Sequence, residues 1–432
     1  MESIWRKYSE MPTFPEFSGN HRTDVLIIGG GFAGILTAYM LKKKGIDCIL
    51  LEKGRICGGT SGNTTAKITY QHGLIYSNLL KNEGFHTAEK YLEANRMAFR
   101  KYEEICKNID CDFEYKDSYI YSLNNRNKLE NELSALNRIG CEPELCEEIP
   151  LPFKTVGAVK LKEQAQFNPL KFISVISENL PVYENSFVRE MKGNTAVTDK
   201  GKVIADNVVC ATHFPFLNKH GSYFVKLYQS RSYVIALENA QDVNGIYLDE
   251  SGTGFSFRNY KNYLLIGGGS HRTGKSGGGW NELRNFAKLH YPKAKECCYW
   301  AAQDCMSLDK MPYIGKYSNR TRNFYAAAGF NKWGMNGSML ASVLLTDMIL
   351  GNQNEYIGVF SPSRNIMKPQ LMVNAFESTK GLLTPSLKRC PHLGCALKWN
   401  SAEHSWDCPC HGSRFDHSGT LLDNPANGNL NK

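Results

Sequence analysis

The sequence lacks any uninterrupted apolar run close to the roughly 18 residues that a membrane-spanning helix needs. Its first twenty residues, MESIWRKYSEMPTFPEFSGN, also lack an apolar core of signal-peptide length. We therefore expect a soluble protein with no membrane span. Because no export signal is recognisable, we expect a cytoplasmic location.

Long runs of like charge are missing as well. The 432 residues carry a formal net charge of +9, but Lys and Arg are scattered along the chain. A short run such as Lys42 to Lys44 is typical of a solvated helix face. We therefore expect no nucleic-acid partner and attribute the charge to solubility or to acidic partners.

Cysteine, in contrast, is abundant. Of the 14 cysteines, four lie in CPHLGCALKWNSAEHSWDCPCHGSRF (390–415), which leaves ten dispersed singly or in pairs. In a cytosolic protein, dispersed cysteines are usually reduced, buried small hydrophobes rather than a disulfide framework. The terminal group needs a separate explanation.

A nucleotide-binding βαβ unit is predicted in TDVLIIGGGFAGILTAYMLKKKGIDCILLEKG (23–54). Gly29, Gly31 and Gly34 follow a short apolar run and supply the GxGxxG spacing. In this order the glycines permit a tight turn, close approach of a pyrophosphate, and close packing of helix on strand. The helix N-terminus offers unpaired N–H groups to phosphates. Glu52 follows about twenty residues later, where a carboxylate accepts hydrogen bonds from ribose hydroxyls.

The segment after Glu52 favours FAD over NAD. GRICGGTSGNTTAKITYQHG (54–73) is rich in Gly, Ser and Thr. Thr60, Ser61 and Thr65 would lie where such a segment wraps the ribityl and pyrophosphate groups of a flavin that stays bound.

A second glycine-rich turn occurs in NFYAAAGFNKWGMNGSMLASVLLTDMILG (323–351). An apolar strand runs through Gly329 and Gly334 into an amphipathic helix, whose N-terminus could face a bound ring system. An ordinary strand–helix connection would not explain its density of Gly, Asn and Trp. We find no second GxGxxG for NAD(P)H, which disfavours a nicotinamide-dependent reductase.

The terminal segment contains two mixed pairs of metal ligands. Cys390-x-His392 and Cys408-x-x-His411 are separated by fifteen residues. Two thiolates on one iron and two imidazoles on the other would hold a Rieske [2Fe–2S] cluster. A Cys₂His₂ zinc site is the alternative, but zinc motifs normally pair Cys with Cys and His with His. The mixed pairs favour the Rieske cluster.

The motifs GGGFAG, GGTSGNTTAK, DKMPYIG and AAGFNKWGM, with Glu52, resemble the D-amino-acid oxidase and sarcosine oxidase family of FAD-dependent oxidoreductases, over about residues 20–352. The resemblance implies an α/β Rossmann-like FAD-binding domain and an α+β antiparallel-sheet substrate domain. The Cys/His pairs that follow indicate a small truncated Rieske-type iron–sulfur subdomain. The implied limits are an N-terminal arm at 1–22, an FAD-binding domain at 23–85, 152–215 and 301–352, a substrate domain at 86–151 and 216–300, a linker at 353–384 and a cluster subdomain at 385–432.

The same resemblance implies non-covalent FAD, because no cysteine is clearly placed for a covalent bond. Val188 would then lie near the adenine. The remaining cofactor-binding candidates, from the matching motifs, are Phe32, Ala33, Lys53, Trp333 and Met335.

CPHLGC and CPCHGS resemble the Rieske proteins of cytochrome bc complexes, in which an extra cysteine pair ties the ligand loops together. The resemblance implies a disulfide between Cys395 and Cys410 and a role in electron transfer. It also implies that Ser413 hydrogen-bonds a bridging sulfide, whereas Phe415 replaces a usual Tyr and predicts a lower potential. The tail is too short for a full Rieske base, so we expect it to dock on the flavin domain.

Five polar residues are candidates for substrate chemistry. Arg231 and Tyr233 share one face of an alternating strand, and Arg231 could clamp a carboxylate, although an outward-facing Arg is an equal alternative. His271 follows a glycine turn and His72 follows the flavin loop, with a surface and a structural role as alternatives. Lys332 could stabilise a reduced-flavin anion.

The sequence thus predicts an FAD and Rieske oxidoreductase that oxidises a C–N bond of a small amine or amino acid by hydride transfer. One-electron reoxidation through the cluster would pass electrons to an acceptor protein or a quinone-like acceptor. An O₂-using amine oxidase with a structural cluster and a non-catalytic electron-transfer module are the alternatives.

Overall fold

The computed structural model describes residues 2–217, 220–252 and 254–430, so the predicted domain ends at 1 and 432 lie outside the described residues. The strands are β1 (Gly19–Ile28), β2 (Cys48–Leu51), β3 (Lys67–Ile68), β4 (Glu114–Ser122), β5 (Glu144–Cys146), β6 (Gly157–Gln166), β7 (Val182–Tyr183), β8 (Glu190–Lys192), β9 (Thr195–Val197), β10 (Gly201–Cys210), β11 (Tyr228–Glu238), β12 (Ile246–Asp249), β13 (Ser256–Tyr260), β14 (Tyr263–Arg272), β15 (Lys295–Met306), β16 (Tyr313–Lys316), β17 (Phe324–Ala328), β18 (Lys398–Asn400), β19 (Ser405–Asp407), β20 (Arg414–Phe415) and β21 (Leu421–Asp423). The α-helices are α1 (Ile4–Lys7), α2 (Phe32–Lys43), α3 (Ile75–Asn82), α4 (Phe85–Cys106), α5 (Arg126–Arg138), α6 (Pro169–Ser177), α7 (Tyr223–Lys226), α8 (Gly279–His290), α9 (Gly334–Leu350), α10 (Ile357–Phe360) and α11 (Pro369–Leu383), and a 3₁₀ turn spans Thr60–Asn63.

The first sheet is Rossmann-like. Its main order is β16-β17-β10-β1-β2-β7, with β1 parallel to both β2 and β10. The last four residues of β1 and all of β2 are buried, as a strand covered on both faces requires. Helices α2 and α9 pack against each other beside this sheet. The predicted βαβ unit is therefore present and central.

The second sheet is largely antiparallel and has the order β15-β11-β14-β13-β12-β4-β6-β3, with β5 on β6. It includes β3, β6 and the end of β15, which come from segments that the sequence assigns to the FAD-binding domain. The reason is long-range pairing: β6 pairs with β4 from Gly157 opposite Ser122 to Gln166 opposite Glu114. Likewise the N-terminal arm is not separate, since Ile4 and Trp5 are buried in the main core.

The tail forms a small antiparallel sheet, β18-β19-β20-β21. The predicted linker 353–384 contains the helices α10 and α11. Helix α11 begins with Pro369 at its first turn and ends before the Thr384–Pro385 dipeptide, as helix-terminating chemistry allows. Among the helices in the described ranges, none combines the length and apolarity needed to cross a bilayer.

Candidate functional site

A cavity of about 1700 Å³ lies between the parallel and the antiparallel sheet. The glycine turn after β1 forms part of its wall. Gly29 has a φ of +109°, and a Cβ atom there would lie 2.6 Å from the carbonyl oxygen of Ala211, so this position requires glycine. The predicted cofactor residues that line the cavity are Gly29, Gly31, Phe32, Ala33, Glu52, Lys53, Thr60, Ser61, Thr65, Val188, Trp333, Gly334 and Met335.

Two predicted cofactor residues lie outside the described lining. A methyl group on Gly34 would collide with the carbonyl oxygen of Gly29, so Gly34 serves the packing of α2 on β1. Gly329 has a φ of +71° and lies against Leu227 and Ser307. Both glycines therefore support residues of the cavity wall without lining the cavity themselves.

The cavity fits an extended dinucleotide at the start of α2. This helix begins at Phe32, so its positive dipole end meets the cavity at the glycine turn. Glu52 accepts hydrogen bonds from the backbone N–H groups of Gly30 (2.7 Å) and Gly54 (2.9 Å). Burial raises the pKa of Glu52 above its usual value. Glu52 therefore holds the phosphate-binding turn in place while it lines the cavity.

The predicted iron ligands converge in the tail. Cys390 and Cys408 are reduced and buried, and each thiol lies within hydrogen-bonding reach of the other. The rings of His392 and His411 lie 4.9 Å apart at 87°. Within the described part of the chain, both ring nitrogens of His411 are buried without a hydrogen-bond partner. Burial lowers the pKa of His392 to about 4 and that of His411 to about 3, so both imidazoles are neutral and able to bind metal.

The disulfide implied by the Rieske resemblance is present. Cys395 and Cys410 are bonded, with their Cα atoms 6.7 Å apart. Their sulfur atoms and that of Cys408 lie within 4.8 Å of one another, so the disulfide joins the ligand loops directly beside the cluster site. Helix α11 covers it: a methyl group on Gly381 would collide with the sulfur of Cys410.

Two glutamines connect the cavity wall to the cluster loop. The backbone oxygen of Gln303 accepts a hydrogen bond from Thr60 Oγ1 at 2.6 Å on the cavity side. Its side-chain amide donates to the carbonyl oxygen of Gly412 (2.9 Å) and to Oε1 of Gln229 (2.7 Å). Gln229 in turn donates to the carbonyl oxygen of His411 at 3.0 Å. We call this pair the glutamine bridge.

The tail also packs on the rest of the chain through other groups. The ring of Phe214 lies 6.4 Å from the rings of both His392 and His411. Arg272 donates to the carbonyl oxygens of Pro409 and Cys410, both at 3.1 Å. The body of the protein thus supplies the base that the short tail lacks.

Comparison with known proteins agrees with both sites. The model of the FAD dependent oxidoreductase family matches residues 24–348, and that of the Rieske [2Fe-2S] domain matches residues 363–432. The chain belongs to the FAD dependent oxidoreductase family. It is an oxidoreductase that binds FAD and a [2Fe–2S] cluster, which decides against the zinc alternative.

Individual relatives match either nearly the whole chain or its cluster region alone. A Bacillus subtilis (strain 168) protein, YhfW, named as a Rieske 2Fe-2S iron-sulfur protein, is 32% identical over 488 aligned positions, which cover 98% of this chain and 96% of that protein. The cytochrome b6-f complex iron-sulfur subunit 1 of Nostoc sp. is 51% identical over 37 residues, or 9% of this chain and 21% of that subunit. The former resembles the entire oxidoreductase, the latter only its cluster region.

Solved structures share the fold of the flavoprotein part. Glycine oxidase from Geobacillus kaustophilus aligns with a TM-score of 0.68 at 20% identity, over 80% of this chain and all of that one. L-proline dehydrogenase from P. horikoshii aligns with a TM-score of 0.67 at 15% identity, over 81% of this chain and 98% of that one. These likenesses establish the architecture of this oxidoreductase.

The predicted carboxylate clamp, Arg231, is used elsewhere. Its guanidinium forms a buried ion pair with Glu403 of the tail, with Nε 2.8 Å from Oε1. Glu403 also binds Arg414 at 2.9 Å. Burial opposes ionisation of Glu403, but the two arginines outweigh it and hold its pKa below the usual value. Arg231 thus pairs with a residue of the tail, Glu403, which lies 172 residues later in the sequence. The alternating pattern of β11 alone gives no sign of this pairing.

Three other candidates, His72, Tyr233 and His271, form hydrogen bonds with other residues of the protein. His72 is buried, with Nδ1 2.7 Å from Tyr91 Oη and Nε2 2.8 Å from the carbonyl oxygen of Thr69, and burial lowers its pKa to about 3. Tyr233 Oη lies 3.0 Å from Nε2 of His271, whose Nδ1 contacts the carbonyl oxygen of Arg272. These contacts suit positioning rather than proton exchange with a substrate.

Lys332 remains a candidate, and the structure adds a second lysine. Both Lys332 and Lys67 line the cavity, and Lys332 Nζ donates to Ser270 Oγ at 3.0 Å. Burial lowers the pKa of both lysines. For Lys67 the pKa falls to about 7, because the nearby positive charges of Arg258 and Lys332 also oppose its protonation. Lys67 lies within the quoted GGTSGNTTAK motif, yet nothing in that motif separates it from a surface lysine.

The surroundings of the cluster yield a paired prediction. Ser413 is fully buried and accepts a hydrogen bond from Ala426 N at 2.9 Å, which leaves its own proton free to donate. Replacing Ser413 with Ala removes that donor and should lower the cluster's reduction potential. Phe415→Tyr adds a donor and should raise it. One hydrogen bond of about 1 kcal/mol corresponds to a shift of about 40–60 mV for one electron.

The measurement is a redox titration followed by the EPR signal of the reduced cluster. Thr379→Ala, on the exposed side of α11, is the control and should leave the potential unchanged. Equal potentials in all four proteins would contradict the role assigned to Ser413 and Phe415.

Proposed function

We propose that this oxidoreductase oxidises a C–N bond of a small amino acid or related amine and passes the electrons through the cluster to an external protein or quinone-like acceptor. The glutamine bridge is the observation that carries the proposal. It joins the wall of the flavin cavity to the loop that holds His411 through three hydrogen bonds between 2.7 and 3.0 Å.

The charge of the cavity supports a substrate that bears a carboxylate. Lys67 and Lys332 both line it, while Arg231 is neutralised by Glu403. Burial disfavours the cationic form of either lysine, so an anion placed between them would restore it. Structures of the same fold are named as a glycine oxidase, an L-proline dehydrogenase and an L-amino acid deaminase, all of which are amino-acid enzymes by title.

The residues of the chain have distinct tasks in this scheme. Bound FAD supplies the two-electron oxidation of the substrate, and the [2Fe–2S] centre carries one electron at a time. Lys67 and Lys332 would bind the carboxylate and so orient the amine carbon. Ser270 fixes the position of Lys332. The two glutamines hold the cluster loop at a constant distance from the cavity.

The direct test is anaerobic mixing of the oxidised holoprotein with single amino acids and amines. At least one small amino acid should bleach the flavin absorbance, and the EPR signal of the reduced cluster should grow with it. The same reduced protein should form peroxide only slowly in air. Rapid peroxide formation with a cluster that stays oxidised would instead support the O₂-using oxidase.

The cavity lysines predict a pH dependence. Because the pKa of Lys67 is lowered to about 7, this lysine is cationic below pH 7 and neutral above it. Affinity for a simple carboxylate such as propionate should therefore fall as pH rises above 7, by up to about tenfold per unit. Absorbance changes of the bound flavin report this affinity.

Lys67→Met should bind propionate weakly at every pH and lose the dependence. Lys81→Met is the matched control, since Lys81 lines the outer part of the same cavity on α3. A pH profile that is identical in the wild type and in Lys67→Met would exclude Lys67 from the carboxylate site.

A further inference from the structure

Helix α11 turns polar and small residues toward the protein and exposes apolar residues, which is the reverse of an ordinary surface helix. Its buried residues are Asn374 and Gly381. Asn374 accepts a hydrogen bond from Arg272 at 3.0 Å and donates one to the carbonyl oxygen of Val225 at 3.1 Å, while Gly381 lies on the disulfide. A surface helix normally buries its apolar stripe, and this one attaches by its polar and small residues instead.

The apolar side chains of α11 point to solvent. Met372 is 73% exposed, Phe376 65% and Leu383 78%. At about 100° per residue, these three lie within about 40° of one another on the helix circumference. Asn374 and Gly381 lie on the opposite side. The three apolar residues therefore form one continuous stripe that faces away from the protein.

The chain around the stripe is rich in exposed apolar side chains. Of 17 large apolar side chains that are exposed in the described residues, eight fall between positions 367 and 393. Patches of this kind mark contact surfaces, whereas single exposed apolar residues are ordinary. We use the word patch for this group of exposed residues, which lie close together in the sequence: Met367, Met372, Val373, Phe376, Leu382, Leu383, Leu387 and Leu393.

The charges around the patch are mostly positive. Between 367 and 389 the chain contains Lys368, Lys380, Lys388 and Arg389 but one acidic residue, Glu377. Glu377 is neutralised by an ion pair with Lys275 at 2.6 Å. Among the described ion pairs, Lys368 has the carboxylate of Glu83 as partner, whereas the other three have none. The apolar segment thus carries four basic residues, three of which have no carboxylate partner among the described ion pairs.

We propose that α11 and the residues that follow it bind the surface of an anionic lipid bilayer. An apolar helical stripe bordered by Lys and Arg is what a helix lying in the membrane interface requires. The helix extends about 22 Å from its fifteen residues, long enough for the stripe to lie flat along the surface. The protein attaches without crossing the membrane.

This orientation would place the cluster loop at the lipid boundary. Leu393 belongs to the patch and directly follows the ligand His392, and Leu382 Cδ2 would contact a Cβ atom at Gly394 at 3.9 Å. The membrane-binding inference goes beyond the proposed reaction and does not require it.

Vesicle sedimentation of the holoprotein tests the inference. The wild type should sediment with phosphatidylcholine vesicles that contain phosphatidylglycerol, more weakly with pure phosphatidylcholine vesicles, and less as salt rises. The triple substitution Met372→Ser, Phe376→Ser and Leu383→Ser should reduce binding to the anionic vesicles at least tenfold, since each removes an exposed apolar side chain. Flavin absorbance and the cluster EPR signal check that the variant is intact.

A second triple variant controls for loss of surface hydrophobicity in general. Phe85→Ser, Leu123→Ser and Leu289→Ser remove exposed apolar side chains from other regions and should leave vesicle binding unchanged. Failure of the wild type to bind anionic vesicles would overturn the inference, as would equal binding by the two triple variants. A dimer in gel filtration that the α11 substitutions dissociate, without vesicle binding, would instead assign the patch to a second copy of the chain.

Discussion

The position of the tail on the oxidoreductase body depends on the buried carboxylate of Glu403, which lies in the tail and pairs with an arginine of the body. It binds Arg231 from β11 and Arg414 from β20, and each of these side chains is at most 6% exposed. Charges removed from water are tolerated only when they are paired, and removing one partner of such a pair typically costs about 3–5 kcal/mol. If the tail were detached, Arg231 would lose its carboxylate partner Glu403. The ion pair thus fixes where the cluster lies relative to the cavity.

The remaining contacts follow from that placement. Once the tail is held on β11 and β15, the glutamine bridge can form between the cavity wall and the loop of His411. The disulfide joins the two ligand loops, and α11 covers it with Gly381. Because its small residues face the disulfide, α11 presents its larger apolar residues to the outside. The docking of the tail and the exposed patch are therefore two consequences of one arrangement.

Local signals in the sequence predicted what depends on neighbouring residues. Three features can each be recognised from a short segment of sequence without knowledge of distant contacts. They are the βαβ unit, the FAD-binding glycines and the Cys/His pairs. What was missed depends on distant pairing: β6 joins β4, and Arg231 meets Glu403. The sequence predicts a linker at 353–384, and the helix α11 within that segment buries only Asn374 and Gly381. The hydrogen-bond partners of the candidates His72 and His271 likewise become visible only in three dimensions.

We expect the glutamine bridge to couple the flavin cavity to the cluster. Single-turnover kinetics of Gln303→Met, with the cluster EPR signal followed after rapid anaerobic mixing with a reducing substrate, tests it most directly. We expect the cluster to be reduced several-fold more slowly than in the wild type, while flavin bleaching keeps its rate. Gln166→Met, which removes a buried glutamine that donates to the carbonyl oxygen of Asn259 and not to the tail, should reduce the cluster at the wild-type rate. Cluster reduction at the wild-type rate in Gln303→Met would contradict the account.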